Sequence, residues 1–288
     1  MRKGLITAVF PFLGDGCDDG VPIYKTEDYK NLGEIRSSAS GKVYKIRKKE
    51  TGEVYELKKV YDGLHARSEI DALRLLDHEN VVKMVAKRDG GLFKCFHIVT
   101  EHMPCALARA FESRTHGPKI RKGKREILRQ ILEGIAHVHS KGIEHRNLSP
   151  GSILINPKTM AVKICDFGLC VRNSSEQNDD ILRLASIMEY LYTGGFNTAT
   201  CCQVSSEMER KMERVSSKNR MDFFKKMRNR TPAKDLLEHP FFSEDLKPYR
   251  STVRKNEMYP SKPNNFTAEE NPKAFRGSRE RRENRKRK

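Results

Sequence analysis

The chain changes its hydrophobic period once, near Pro104, and that change limits what it can fold into more than any other feature. Before it, "YKNLGEI", "GKVYKIRK" and "EVYELKKV" alternate apolar and polar residues between turn signals such as Thr51-Gly52. Period-two alternation puts one face of each segment on a core, so Tyr24 to Val60 is expected to form an antiparallel meander. "HARSEIDALRLLDHENVVKM" then carries Ile70, Leu73 and Leu76 at helical spacing, and "FHIVTEHM" returns to strand character. Beyond Pro104, "KREILRQILEGIAHVHSKG" sets Ile127, Ile131, Ile135 and Val138 on one helix face and stops at Gly142. "DILRLASIMEYLYTGG" is apolar almost all round, which predicts a helix buried in a core. "MDFFKKM" and "TPAKDLLEHPFF" close the pattern, with Thr231 expected as a cap and Pro232 at the first helical position. A β-rich lobe followed by a helical lobe is an α+β arrangement.

Outside that span residue usage shifts. From Leu246 the chain is rich in Pro, Lys, Asn and Arg without a period, ending in "RGSRERRENRKRK", and residues 246–288 are expected to be a disordered basic tail. The tail holds much of a net charge of +18 that sets the isoelectric point near 9.6. It suits nuclear import, loose RNA or other polyanion contact, or simple solvation. Residues 1–23 pair a basic start with a short apolar stretch broken by Pro11 and Gly14, and read as a disordered leader, with a degenerate signal peptide as the alternative. No run reaches the roughly 18 apolar residues that cross a bilayer, so no membrane association is expected. The seven cysteines form no CxxC pair, and Cys201 and Cys202 are neighbours, which rarely bridge. Reduced thiols and an intracellular setting, cytoplasmic or nuclear, follow from this.

A particular series of residues runs through the two lobes. A lysine stands in a strand, "YELKKV"; a glutamate in the next helix, "SEIDALRLL"; "VTEHMP" lies where the texture changes; then come "HRN" and "DFG". In this order, and over about Thr26 to Phe242, the chain resembles a eukaryotic protein kinase domain of the serine/threonine type. The resemblance implies a bilobal fold, with an N-lobe and hinge over residues 24–103 and a helical C-lobe over 104–245. It implies ATP and magnesium as cofactors and phosphoryl transfer to a protein hydroxyl. Lys58 stands where the family's lysine grips the α and β phosphates, Glu69 where a helix glutamate orients it, and Asp166 where an aspartate chelates magnesium. Thr100 falls at the gatekeeper position, the backbone of Glu101 and Met103 at the adenine edge, and Ile35, Val43 and Leu154 around the adenine ring.

The departures from the family pattern concentrate in the catalytic loop, "HRNLSPGSILI". Where the family has an aspartate that takes the substrate proton, a lysine that steadies the phosphate and an asparagine that ligates magnesium, this chain has Asn147, Ser149 and Ser152. An amide cannot accept a proton as a carboxylate does, so a contribution of about 10²–10⁴-fold is at risk from Asn147 alone. The other two changes remove a cation and a metal ligand from the same transition state.

The nucleotide end is altered as well. Two positions before Lys58 the family has a small residue over the adenine; here Glu56 would be desolvated against an apolar ring unless it swings out. In "IRSSASGKVYK", ungapped matching puts Arg36 and Ser38 where the first two loop glycines belong, leaving Gly41 in place. Arg36 is expected to reach a phosphate; the alternative alignment makes Gly33 the first glycine of a longer loop. Only "LCVRNSSEQND" separates Gly168 from Asp180, too short for the usual activation segment and its A-P-E motif. Arg230, matched to the arginine that pairs with that motif's glutamate, is therefore expected to be solvated or to find another acid. His145 and Arg146 are expected to be structural, holding the loop against the helix at Asp180.

The residues thus predict a catalytically impaired member, a pseudokinase that binds ATP and magnesium weakly or not at all and acts as a scaffold or regulator through protein partners. Two alternatives stay open: a weakly active serine/threonine kinase resting on Lys58, Glu69 and Asp166, and a basic RNA-associated protein acting through its tail.

Overall fold

The computed structural model describes residues 20–38, 41–90, 95–173, 179–194, 210, 212–213 and 217–243. The expected leader up to residue 19, the side chain of Ser38, residues 174–178 and the basic tail lie outside the described residues. The chain divides into two units, residues 1–244 and 245–288, and every element below belongs to the first.

The period-two segments form strands β1 (Tyr29–Ser38), β2 (Gly41–Lys48) and β3 (Val54–Val60), which pair antiparallel in sequence order. With β4 (Met84–Arg88) and β5 (Phe96–Glu101) they make a five-stranded sheet in the order β1-β2-β3-β5-β4. Alternation decides which side chain serves which face. Ile46, Leu57, Ala86 and Val99 pack with Tyr24 on the outer face, while Val60, Met84 and Ile98 join the core shared with the second lobe. Glu56 and Lys58 flank Leu57 and so point together to the inner side, where both line a cavity. Ahead of β1, the Pro22 carbonyl accepts from the Lys87 N–H and the Tyr24 N–H donates to the Lys87 carbonyl, covering the β4 edge.

Helix α1 (Gly63–Leu75) lies on that inner side. Its first-turn amides are capped by Asp62, which accepts from the N–H of Leu64 at 2.9 Å and of His65 at 3.1 Å. The buried face carries Ala66, Ile70 and Leu73, and with them one acid, Glu69.

Past the hinge, β6 (Cys105–Ala106) leads into α2 (Leu107–Glu112), α3 (Gly117–Lys122) and α4 (Lys124–Ser140). Helix α4 buries Ile127, Ile131, Ile135 and Val138 as the spacing predicts, along with Leu128 and Leu132. Each such side chain contributes about 1.5–3 kcal/mol on burial. The expected stop at Gly142 has a physical cause: its φ is +68°, and a Cβ there would collide with the Asn173 side chain. Two small ladders then carry the functional loops, β6 with β8 (Ile153–Ile155) and β9 (Val162–Ile164), and β7 (Ile143–Glu144) with β10 (Val171–Arg172).

Helix α5 (Asp180–Thr193) is buried on every side, as a segment apolar all round requires: Leu184, Ala185, Ile187 and Met188 are fully enclosed, and within Asp180–Leu191 the exception is Arg183. Helices α6 (Lys218–Arg228) and α7 (Ala233–Leu237) close the lobe. Their junction corrects one expectation. Pro232 holds the cap position itself, with an extended ψ of 144° and no side-chain cap bond, and Thr231 does not cap. The Thr231 N–H donates instead to the Lys226 carbonyl, completing the end of α6. No helix among the described residues is long and apolar enough to cross a membrane.

Candidate active site

Strand β3, helix α1 and the turn after β9 bring three charged groups together. Lys58 Nζ lies 2.6 Å from Glu69 Oε2 and 2.5 Å from Asp166 Oδ1. Burial alone would lower the Lys58 pKa, but the two carboxylates outweigh it and hold the ammonium above its ordinary value. Burial pushes Glu69 up against the pull of Lys58, whereas at Asp166 burial is outweighed by the lysine, which holds the carboxyl below its usual range. Asp166 adopts a left-handed backbone, φ 70° and ψ 63°, and the next residue, Phe167, is fully buried against the His145 ring at 4.6 Å.

The catalytic loop hangs from Asp180, at the start of α5. Its carboxylate accepts the backbone N–H groups of His145 and Arg146, each at 2.8 Å, and so holds Arg146 at a φ of 61°. His145 Nε2 donates to the Cys165 carbonyl at 2.9 Å, tying the loop to the turn after β9 that carries Asp166. The structural roles expected for His145 and Arg146 are the ones these bonds describe.

Of the three altered positions, the two serines are bonded into the loop itself and the Asn147 side chain reaches beyond it. Asn147 Nδ2 lies 3.4 Å from Asp166 Oδ2. The hydroxyl of the buried Ser152 reaches the Asn147 carbonyl at 3.1 Å and accepts the Ser149 N–H at 2.9 Å. Ser149 Oγ in turn accepts the N–H of Gly151 at 3.2 Å. Neither serine supplies a cation or a carboxamide to the space in front of Asp166. Among the described residues no group of three His, Cys, Asp or Glu side chains is placed to hold a metal. A magnesium ion would therefore depend on Asp166 together with a nucleotide's own phosphates.

Between the lobes' facing strands lies a cavity of about 330 Å³, near the lower end of small-molecule sites. Of the expected residues, Val43, Lys58, Glu69, Thr100, Leu154 and Asp166 line it. Ile35, Gly41, Glu101, Met103, Asn147 and Ser152 are not on its wall. Ile35 is 38% exposed, and the Glu101 side chain turns to the Lys83 N–H and to Lys163. Gly41 is demanded by strand packing: with φ at 150°, a Cβ there would collide with the Lys59 carbonyl oxygen across the β2–β3 pair. Gly33 pairs with Lys45 inside β1, away from the hairpin end where Ser38 meets Gly41, so the ungapped alignment describes the loop. Val82, Ile98 and Cys165 also line the cavity and were not singled out in the sequence. Burial pushes the Cys165 thiol up to about 12.

Glu56 is the decisive wall residue. It does not swing out: its side chain is 5% exposed and pairs with Arg36 at 2.9 Å, while Arg36 remains 39% exposed. Arg36 is thus engaged by a carboxylate where a phosphate contact was expected. The other Glu56 oxygen lies 3.1 Å from His102 Nδ1 and accepts the Met103 backbone N–H at 3.3 Å. The two ends of this site differ. One end holds the charged groups of Lys58 and Asp166, and at the other the Met103 backbone N–H already has the Glu56 carboxylate as its acceptor.

The last arginine of the pattern, Arg230, finds an acid one residue before the anchoring Asp180: its guanidinium lies 2.7 Å from Asp179 Oδ1.

The protein kinase domain family matches residues 29–196, more than half of the chain. The chain belongs to the protein kinase family. The bilobal α+β fold expected from the order of the motifs is the fold observed. A putative cyclin-dependent kinase F-2 of Oryza sativa subsp. japonica is 32% identical over 155 residues, covering 50% of this chain and 47% of that protein. A probable serine/threonine-protein kinase of Arabidopsis thaliana is 30% identical over 189 residues, 58% of this chain and 31% of that one. Human mitogen-activated protein kinase 4 is 36% identical over 114 residues, 36% of this chain and 19% of its own length. In each case the match spans less than half the length of the relative.

Proposed function

We propose that this protein is a kinase-fold regulator or scaffold of serine/threonine-kinase descent that has lost efficient phosphoryl transfer. The observation that carries this reading is the bonding of Ser149 and Ser152 into their own loop and of the Asn147 amide toward Asp166, beside an otherwise formed Lys58–Glu69–Asp166 triad. Phosphoryl transfer depends on charge arranged around the moving phosphate, and this loop offers neither a carboxylate base, a lysine nor a second metal ligand. ATP and magnesium bind weakly or not at all, and function passes through protein partners docked on the lobes. The basic tail adds loose polyanion or RNA contact. Free thiols at Cys95, Cys105, Cys165 and Cys170 suit a reducing interior, cytoplasmic or nuclear.

One observation favours a second reading. The triad distances of 2.6 and 2.5 Å are those of an assembled phosphate site, which a weakly active serine/threonine kinase would also need. Transfer of labelled γ-phosphate to a serine peptide decides between the two. The proposed function predicts equal background for the wild type and Asp166→Ala; transfer by the wild type that Asp166→Ala abolishes makes the protein an enzyme.

A further inference from the structure

Glu56 sits on β3, opposite Thr100 of β5 and two residues before Lys58, so its side chain enters the cavity from the roof. Its two oxygens have separate partners. One accepts from Arg36 at 2.9 Å; the other accepts from the Met103 N–H at 3.3 Å and faces His102 Nδ1 at 3.1 Å. A purine edge docking at this hinge would need the same Met103 N–H as its donor. One N–H does not serve two acceptors at full strength, and a carboxylate is the stronger acceptor of the two.

We propose that Glu56 acts as a built-in plug that stands in for the purine and excludes purine nucleotides from this pocket. This deepens the reading of weak or absent ATP binding and rests on it. The plug is held by more than one bond. For the carboxylate to leave, the Arg36 pair must break, and the buried Met103 N–H and His102 must lose an acceptor. The phosphate end is not the obstacle, since Lys58, Glu69 and Asp166 are already assembled. The specificity of the pocket is therefore decided at the base end, by one side chain. Arg36 shares in it: the guanidinium matched to a phosphate-loop glycine lies over the cavity and neutralises the plug, which lets a carboxylate stay buried.

Titration calorimetry with adenosine and with Mg-ATP on the full chain tests this, comparing the wild type with Glu56→Ala and Glu56→Gln. Adenosine reports the base end alone, because it carries no phosphate. The plug predicts no adenosine binding by the wild type and at least about a tenfold gain in affinity for Glu56→Ala. Glu56→Gln keeps an oxygen that accepts the Met103 N–H and stays close to the wild type. The proposal is overturned if the wild type binds adenosine as tightly as Glu56→Ala, or if a cooperatively unfolding Glu56→Ala gains nothing. Should that variant not fold, amide exchange on the wild type decides. The Met103 N–H must be protected without ligand and unchanged by Mg-ATP, and new protection on adding Mg-ATP refutes the plug. Phosphate transfer measured in parallel separates the two claims: transfer by the wild type refutes the impaired-enzyme reading, whereas unchanged adenosine binding in Glu56→Ala refutes the plug alone.

Discussion

Asn147 Nδ2 faces Asp166 Oδ2 across 3.4 Å, so the amide matched to the family's catalytic aspartate donates toward the carboxylate matched to its magnesium aspartate. Replacing that amide with a carboxylate would set two like charges against each other. Asn147→Asp is expected to lose about 1–3 kcal/mol of stability at neutral pH without divalent cations. Magnesium, lying between two carboxylates, should recover part of the loss. Thermal melts with and without magnesium check this, and an equal magnesium shift in the variant and the wild type would count against the geometry.

Lys58 neutralises a fully buried acid. Truncating it leaves Glu69 without its counter-ion, and breaking a buried pair in this way costs about 3–5 kcal/mol. Lys58→Ala should therefore melt lower than the wild type with no nucleotide present. Lys58→Met combined with Glu69→Leu should be closer to the wild type than Lys58→Ala, as followed by urea unfolding.

The Arg230–Asp179 pair should matter little. Its side chains are 32% and 39% exposed, so solvent and salt screen it. Arg230→Ala is expected to cost about 1 kcal/mol or less, and the difference should shrink with added salt. A loss of several kcal/mol would mean that the pair is sealed from water.

His97 is expected to make the first lobe sensitive to acid. Burial first, then Arg88 and Lys59, pushes its pKa down from 6.5 to about 4. The ring stacks on Tyr24 at 5.4 Å and accepts from Arg88 Nη2 at 3.2 Å. Between these two values the unfolded chain binds the proton and the folded one does not. The stability contributed by the neutral ring is complete above about pH 6.5 and is lost as pH falls toward 4. In His97→Gln this part of the acid dependence should vanish, so the stability gap between wild type and variant should narrow over that window.

The sequence made the elements legible wherever one period ran uninterrupted, as in α4 with Ile127, Ile131, Ile135 and Val138. The family resemblance also set Glu56 over the expected adenine site, and β3 does turn it inward beside Lys58. What it could not show were the partners. Arg36 lies twenty residues from Glu56 in sequence and Met103 forty-seven, and both meet it only through strand pairing and the turn into the hinge. The cap of α7 failed for a local reason: Pro232 took the extended cap conformation itself, leaving Thr231 to finish α6. Gly41 stood out in the sequence as a loop glycine, and the structure adds a reason for it in strand packing that the motif does not show.

The most direct test of lost chemistry is single-turnover transfer of labelled γ-phosphate by Glu56→Ala, in which the base end is open, with Glu56→Ala/Asp166→Ala as the zero. The opened protein is predicted to bind Mg-ATP and to transfer no more phosphate than the double variant. Time-dependent transfer that the Asp166 change abolishes would contradict this, and would show that Asn147, Ser149 and Ser152 still make a working catalytic loop.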